Sequence, residues 1–287
     1  MRDQASALRN LLHQRSANVP SSAVERARNV VFTSGKGGVG NSVLAVNVAV
    51  AMAQRGVRVC LLEASVGTSS VELLCGLNCY WNASHVLSGA KSLREVIVKG
   101  PQGINILTGF SSLIEAAIHA KRIANGVVEQ LALLETAYDV LVIDAGRGLT
   151  TTARVLAAMA DRVQLVMTPE PTAIAEAYAT FKSWQGIVTN APDILVNRAA
   201  SSAQAREILG RFGQTVELFL RQPAPSGVWI PEDAVVSQAV AARQPFVMTA
   251  PSSSAARELG SLSQKLQTGA KPVRTASFWE RLTSRTL

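Results

Sequence analysis

The chain has little that would suit an oxidising compartment or a lipid interior. Only three cysteines occur in 287 residues, Cys60, Cys75 and Cys79, an odd number that builds no disulfide framework and fits thiols kept reduced. Cys75 and Cys79 can face one another on a helix, but two thiols do not complete a metal site, and structural roles are expected. The three histidines, His13, His85 and His119, are far apart and lack metal spacing or a triad partner; packing or surface roles are expected of them. No run reaches eighteen consecutive apolar residues, and the N-terminus, with Asp3, Gln4 and Arg9, lacks the apolar centre of a signal peptide. A cytoplasmic location is the expectation. Aromatic residues make up only 5% of the chain, and Trp81, Trp184 and Trp229 are expected in or beside the core. Zinc-site, nucleophile-elbow and dedicated DNA-reading motifs are missing as well.

What is present is a globular composition, 48% hydrophobic and 17% charged, at a length that suits one large α/β domain with tails or two small domains. The net charge of +8 lies mostly at the ends. Residues 1–28 carry five arginines against two acids, and residues 271–287 carry Lys271, Arg274, Arg281 and Arg285 against Glu280. Basic tails attract membrane, nucleic acid or an acidic partner alike, so charge does not choose among them.

Residues 3–12 start a short helical pattern with Ala5, Leu8, Leu11 and Leu12 on one face, followed by a linker over 16–22. A helix this short forms fully only against a partner. From residue 29 apolar strand patterns alternate with longer helical ones. Strands are predicted at 30–33, 57–63, 104–107, 139–144, 162–167, 193–196 and 227–230, with helices at 153–160, 173–185, 203–220 and 252–266. The continuous apolar strands predict a doubly wound, mainly parallel sheet covered by helices on both faces, with ligands at the carboxyl ends of the strands. Three parts are expected: an arm and linker at 1–28, the α/β domain at 29–268, and a linker with a short basic amphipathic helix at 269–287.

The organising stretch is 30–42, VVFTSGKGGVGNS. An apolar strand runs into Gly35, Lys36, Gly37, Gly38, Val39, Gly40, Asn41 and Ser42, and then into a helix. The spacing is that of the G-x-x-x-x-G-K-[ST] phosphate loop, whose glycines let backbone N–H groups turn around phosphate oxygens at a helix N-terminus. Asn41 stands where the lysine of that loop is required, and a neutral amide brings no charge to the β and γ phosphates. Ser42 would offer its hydroxyl to Mg²⁺. The apolar run 140–143 ends in Asp144, an acid placed to hold the Mg²⁺ shell, and is followed by Gly146 and Gly148; a following glycine N–H, assigned to Gly148, can face the terminal phosphate.

Lys36, directly after the first glycine, is foreign to ordinary phosphate loops. Gly-Lys-Gly-Gly-Val-Gly resembles the deviant loop of the MinD/ParA ATPases, in which the early lysine reaches across a nucleotide-bound dimer. The segments 65–77, 84–89, 168–173, 230–233 and 243–247 resemble the FlhG/FleN branch, regulators of flagellar number and placement. The arm motif Asp3-Gln4-Ala5, with Leu8 and Arg9, also matches that branch, whose arm stimulates the signal-recognition-type GTPase FlhF. The resemblance implies a P-loop fold, ATP or ADP with Mg²⁺ as cofactor, and contacts to adenine from Asn197 and from Pro231, Glu232 and Asp233. It also implies flagellar assembly proteins and a second copy of the chain as partners.

Two departures stand in the site. The family has lysine at Asn41, and its second strand ends Asp-x-Asp where this chain reads Glu63-Ala64-Ser65. Ser65 has no charge with which to polarise the attacking water. Losing one charged hydrogen-bond donor to phosphate costs about 1.5–3 kcal/mol, and losing the acid adds a separate defect. A weak or absent ATPase is expected, with nucleotide either weakly held or not bound. At the other end, Ser277-x-x-Glu280 has capping-box spacing. Phe278, Trp279 and Leu282 share a side flanked by Arg281 and Arg285, which resembles the membrane-targeting tail of this family and fits an anionic bilayer at the cytoplasmic face of the inner membrane or a partner; a frayed tail is the alternative. Two rival functions stand beside the regulator: an active ATP-hydrolysing dimer switch in which Lys36 and Glu63 cover the losses, and a DNA tether using the basic ends.

Overall fold

The computed structural model describes residues 24–67, 70–119, 125–188, 190–268, 272–274 and 276–284. The arm residues Asp3, Gln4, Ala5, Leu8 and Arg9 lie outside the described residues. The strands are β1 (Val24–Glu25), β2 (Arg28–Ser34), β3 (Val59–Glu63), β4 (Val98–Lys99), β5 (Asn105–Leu107), β6 (Val140–Arg147), β7 (Arg162–Met167), β8 (Asp193–Ala199), β9 (Gly227–Pro231) and β10 (Val273–Arg274). Eight of them form one sheet in the order β4-β5-β3-β6-β2-β7-β8-β9. Neighbours are parallel except β4 and β5, which are antiparallel. The chain winds outward in both directions from β2, so the switch point, where ligands bind in such sheets, lies at the carboxyl end of β2 where the phosphate loop begins.

Alternation along the strands feeds a core on each face. Val30 and Phe32 pack on one side with Leu61 and Val142, whereas Val31 packs on the other with Leu62 and Ile143. The longer helices are α1 (Asn41–Ala53), α2 (Ser111–Ile118), α3 (Asn125–Ala137), α4 (Thr151–Met159), α5 (Pro171–Ser183), α6 (Ser202–Thr215), α7 (Ala234–Ala241), α8 (Ser254–Gln267) and α9 (Phe278–Ser284). α1 and α8 cover the first face, and α2 to α6 with α9 cover the second. Several start on a side-chain cap: Thr150, Ser201 and Ser253 accept from the N–H groups of Ala153, Gln204 and Ala256. The expected helix over 203–220 is α-helical only to Thr215 and continues as a π-turn, Val216–Leu220.

The tail departs from expectation. β10 pairs with β1, and α9 packs onto the second core. The expected capping box forms, with Ser277 N–H donating to Glu280 at 2.6 Å and Glu280 N–H to Ser277 Oγ at 3.0 Å. The Phe278 N–H donates to the buried Glu135 carboxylate at 2.5 Å, and the Trp279 ring meets Phe110 edge-on at 4.9 Å. Phe278, Trp279 and Leu282, the residues assigned to a bilayer, are 2%, 2% and 6% exposed. In this conformation they are core, because an apolar face that can reach the α2–α3 surface of its own chain removes the same area from water without leaving the molecule.

Candidate nucleotide site

β2 ends at Ser34 and α1 begins at Asn41, so the six residues between them form the loop. Its glycines are not interchangeable. A Cβ on Gly35 would lie 2.3 Å from the Glu176 backbone, and Gly40, at φ 94°, would put one 2.4 Å from Asn197 Nδ2. The Asn197 amide donates to Val39 O at 2.7 Å and so pins the loop from β8.

Two clefts meet at Gly40, Val43, Arg198 and Val240. The first, about 620 Å³, is lined by loop residues Gly37, Gly38, Gly40, Asn41 and Ser42 and by Ser65 and Gly146. The second, about 700 Å³, is lined by Asn197, Pro231, Glu232 and Asp233. Each has the size of a small-molecule pocket, one beside the phosphate loop and the other beside β8 and β9. Asp233 is structurally committed: its oxygens accept from Val235 N–H, Ser254 Oγ–H and Ala255 N–H.

Asn41 borders the cleft but is only 8% exposed, and its amide is engaged within the protein. Its amide donates to Asp144 Oδ1 at 2.6 Å and to Phe32 O at 3.2 Å, so it ties the start of α1 to the ends of β2 and β6. The fully buried Asp144 carboxyl is pushed up by desolvation, opposed by hydrogen bonds from Ser42, the Gly146 N–H and Asn41. Its Oδ2 is buried and without a hydrogen-bond partner. An orphaned acid oxygen beside a serine hydroxyl fits an Mg²⁺ shell, so Ser42 and Asp144 are the residues that would hold the ion.

Other expected residues are placed differently. Gly148 does not face the cleft: its N–H donates to Ser34 O at 2.8 Å, and a Cβ there would meet Thr180 and Trp184 at 2.6 and 2.8 Å. It is a packing glycine, and Gly146 takes the cleft position. Glu63 lies beneath the site, accepting from Val71 N–H at 3.0 Å, its carboxyl pushed up to about 7 mainly by burial. It cannot stand in for the missing acid, because it does not line the cleft and desolvation favours its neutral form. Ser65 does line the cleft, and its hydroxyl is buried without a partner. Among the described lining residues of the phosphate cleft there is no carboxylate. Lys36 is paired within its own chain, with Glu170 at 2.5 Å and Thr172 Oγ1 at 2.9 Å, and its hydrogen bond and charge hold the Glu170 carboxyl below the ordinary range.

Sequence reasoning missed the arginines of this cleft, Arg147, Arg198 and Arg243. The signal for Arg147 is its place between Gly146 and Gly148 at the end of an apolar strand.

The family model for the ParA proteins, described as NUBPL iron-transfer P-loop NTPase, matches residues 25–267. The antiactivator FleN of Pseudomonas aeruginosa is 29% identical over 248 residues, covering 85% of this chain and 88% of that protein. The flagellum site-determining protein YlxH of Helicobacter pylori is 32% identical over 187 residues, covering 63% of this chain and 62% of that one. The septum site-determining protein MinD of Pyrococcus horikoshii, solved as a complex with Mg-ADP, superposes with a TM-score of 0.65 at 21% identity over 84% of this chain and 96% of its own. A phosphate loop at the switch point of this sheet, an orphaned strand-end aspartate and a second cleft beside β8 agree with these likenesses, and the chain belongs to the ParA family of P-loop NTPases, in its MinD-like, FlhG/FleN-like branch.

Proposed function

We propose that this chain is a regulator of flagellar number and placement that binds adenine nucleotide and hydrolyses it weakly or not at all. The observation that carries the reading is the state of Asn41, which spends its amide on Asp144 and Phe32 in a cleft whose described lining residues include no carboxylate. Mg²⁺, held by Ser42 and Asp144, would supply charge neutralisation to the β and γ phosphates. The chain's own residues do the rest. The α1 N-terminus and loop glycines cradle anionic oxygens, Asn197 fixes the loop, and the pocket of Pro231, Glu232 and Asp233 takes the base. With Ser65 at the acid's position, no described residue of the cleft lining polarises a water, so a bound triphosphate persists.

The names of FleN and YlxH support the flagellar assignment. By the same reading the arm stimulates an FlhF-type GTPase through Asp3 and Gln4, other flagellar assembly proteins bind the body, and two copies close over the clefts, whose rim exposes Val66 and Leu73. Peripheral membrane contact requires α9 to leave its seat, and liposome co-sedimentation that survives deletion of residues 277–287 excludes that route. Alanine at Asp3 and Gln4 is expected to abolish GTPase stimulation; unchanged stimulation removes the arm's role.

Steady-state phosphate release tests the core of the reading. The natural chain is expected to stay near background, and the Asn41→Lys, Ser65→Asp double variant to release phosphate. Brisk turnover by the natural chain, lost on Lys36→Ala, would establish the rival switch instead. A DNA tether has weaker support, since the charge resides mainly in the ends; salt-sensitive retention of nonspecific DNA would favour it.

A further inference from the structure

Arginine is the only charged residue type among the described residues of the phosphate cleft. Arg147, Arg198 and Arg243 come from the end of β6, from β8 and from the turn after α7, so three separate elements converge on one space. Arg198 and Arg243 hold the left-handed backbone conformation, with φ of 59° and 55°, a region that costs a residue with a side chain free energy and that persists only where surroundings impose it. Among the described residues the competing acids lie outside the phosphate cleft: Glu176 pairs with the largely exposed Arg147 at 3.9 Å, Glu170, already paired with Lys36, feels Arg198, and Glu232 and Asp233 line the adjoining cleft that Arg198 also borders. Asp144 faces the region from below but is capped by Asn41.

We propose that Arg147, with Arg198 and Arg243, supplies the positive charge to the nucleotide's phosphate chain that the loop lysine supplies elsewhere, so that the site retains a nucleoside polyphosphate after losing Lys at position 41. A planar guanidinium presents several N–H donors to two oxygens at once, and three of them around one anion suit a di- or triphosphate better than a monophosphate. The inference rests on the nucleotide-binding reading above and assigns the groups that carry it.

Isothermal titration of the full chain with ATP, ADP and AMP, with Mg²⁺ and with EDTA, tests both. The natural chain is expected to bind ATP and ADP more tightly than AMP and to keep measurable affinity in EDTA. Arg147→Ala is expected to weaken ATP by about tenfold or more with AMP little changed. Arg147→Lys should restore part of the loss, and Asn41→Lys in the Arg147→Ala background should restore more. Arg147 is exposed, so the substitution leaves the core intact, and circular dichroism melting checks that it does. Absence of any nucleotide binding by the natural chain would overturn the nucleotide reading itself. Binding by the natural chain that is equal in Arg147→Ala, Arg198→Ala and Arg243→Ala would overturn the arginine assignment alone.

Discussion

At the scale of single residues, the described lining of the phosphate cleft has lost its carboxylate and keeps its positive charge on arginines instead of a loop lysine. Asn41 neutralises nothing but satisfies one oxygen of Asp144, Oδ1, which lowers the cost of burying that acid. Glu63 is another buried acid, and its raised pKa has a stability consequence. Its folded value of about 7 lies above the ordinary 4.5, so its contribution is fully present below the ordinary value and is lost as pH rises through about 7. Glu63→Gln is therefore expected to stabilise the protein at pH 8 by on the order of 2 kcal/mol, with the gain gone near pH 4, read from urea unfolding at the two pH values. An equal gain at both would assign the effect to packing. Gly35→Ala is expected to destabilise by about 2–3 kcal/mol, since its Cβ would meet backbone and not a movable side chain.

The loop and its defect were legible because a phosphate loop is a local pattern, strand, glycines, helix, in which one wrong residue stands out. Gly148 was misread for the opposite reason. Whether a glycine faces a ligand or a neighbouring helix depends on what packs against it, here Thr180 and Trp184 from α5. The three arginines come from positions 147, 198 and 243, and no window of sequence contains them together.

Among elements, the predicted strands at 30–33, 104–107, 162–167 and 227–230 fall on observed ones to within two residues at each end. Continuous apolar runs between helical periods leave little else for a parallel sheet to do. The short edge strand β4 and the pair β1 and β10 escaped, because two-residue strands have no period to detect. α9 was seen as an amphipathic helix, but its partner was not, since sequence alone cannot distinguish a bilayer from the apolar groove between α2 and α3. Trp279→Ala is expected to cost about 3–5 kcal/mol in chemical denaturation. A cost near zero would show that α9 leaves its seat freely, and would reopen the membrane assignment.

For the whole molecule, the arrangement places one functional face at the carboxyl edge of the sheet. Val66, Leu73 and Val240 rim the cleft with exposed apolar surface on that face. Sedimentation velocity with ATP and Mg²⁺ is expected to give twice the 30.4 kDa chain mass, and Leu73→Glu to return it to one. A single-chain mass under both conditions would leave that surface to another partner.

The β1–β10 ribbon fixes where the extremities of the polypeptide attach. Val24 pairs with Arg274, so whatever precedes the one and follows the other is rooted at a common corner. That corner stands at the amino end of β2, and the seven residues of this strand, about 3.3 Å each, put roughly 20 Å of protein between it and the loop. A protein grasping the leading arm would thus hold this molecule by its stem, leaving the opposite pole open to nucleotide and to a second copy at the same time.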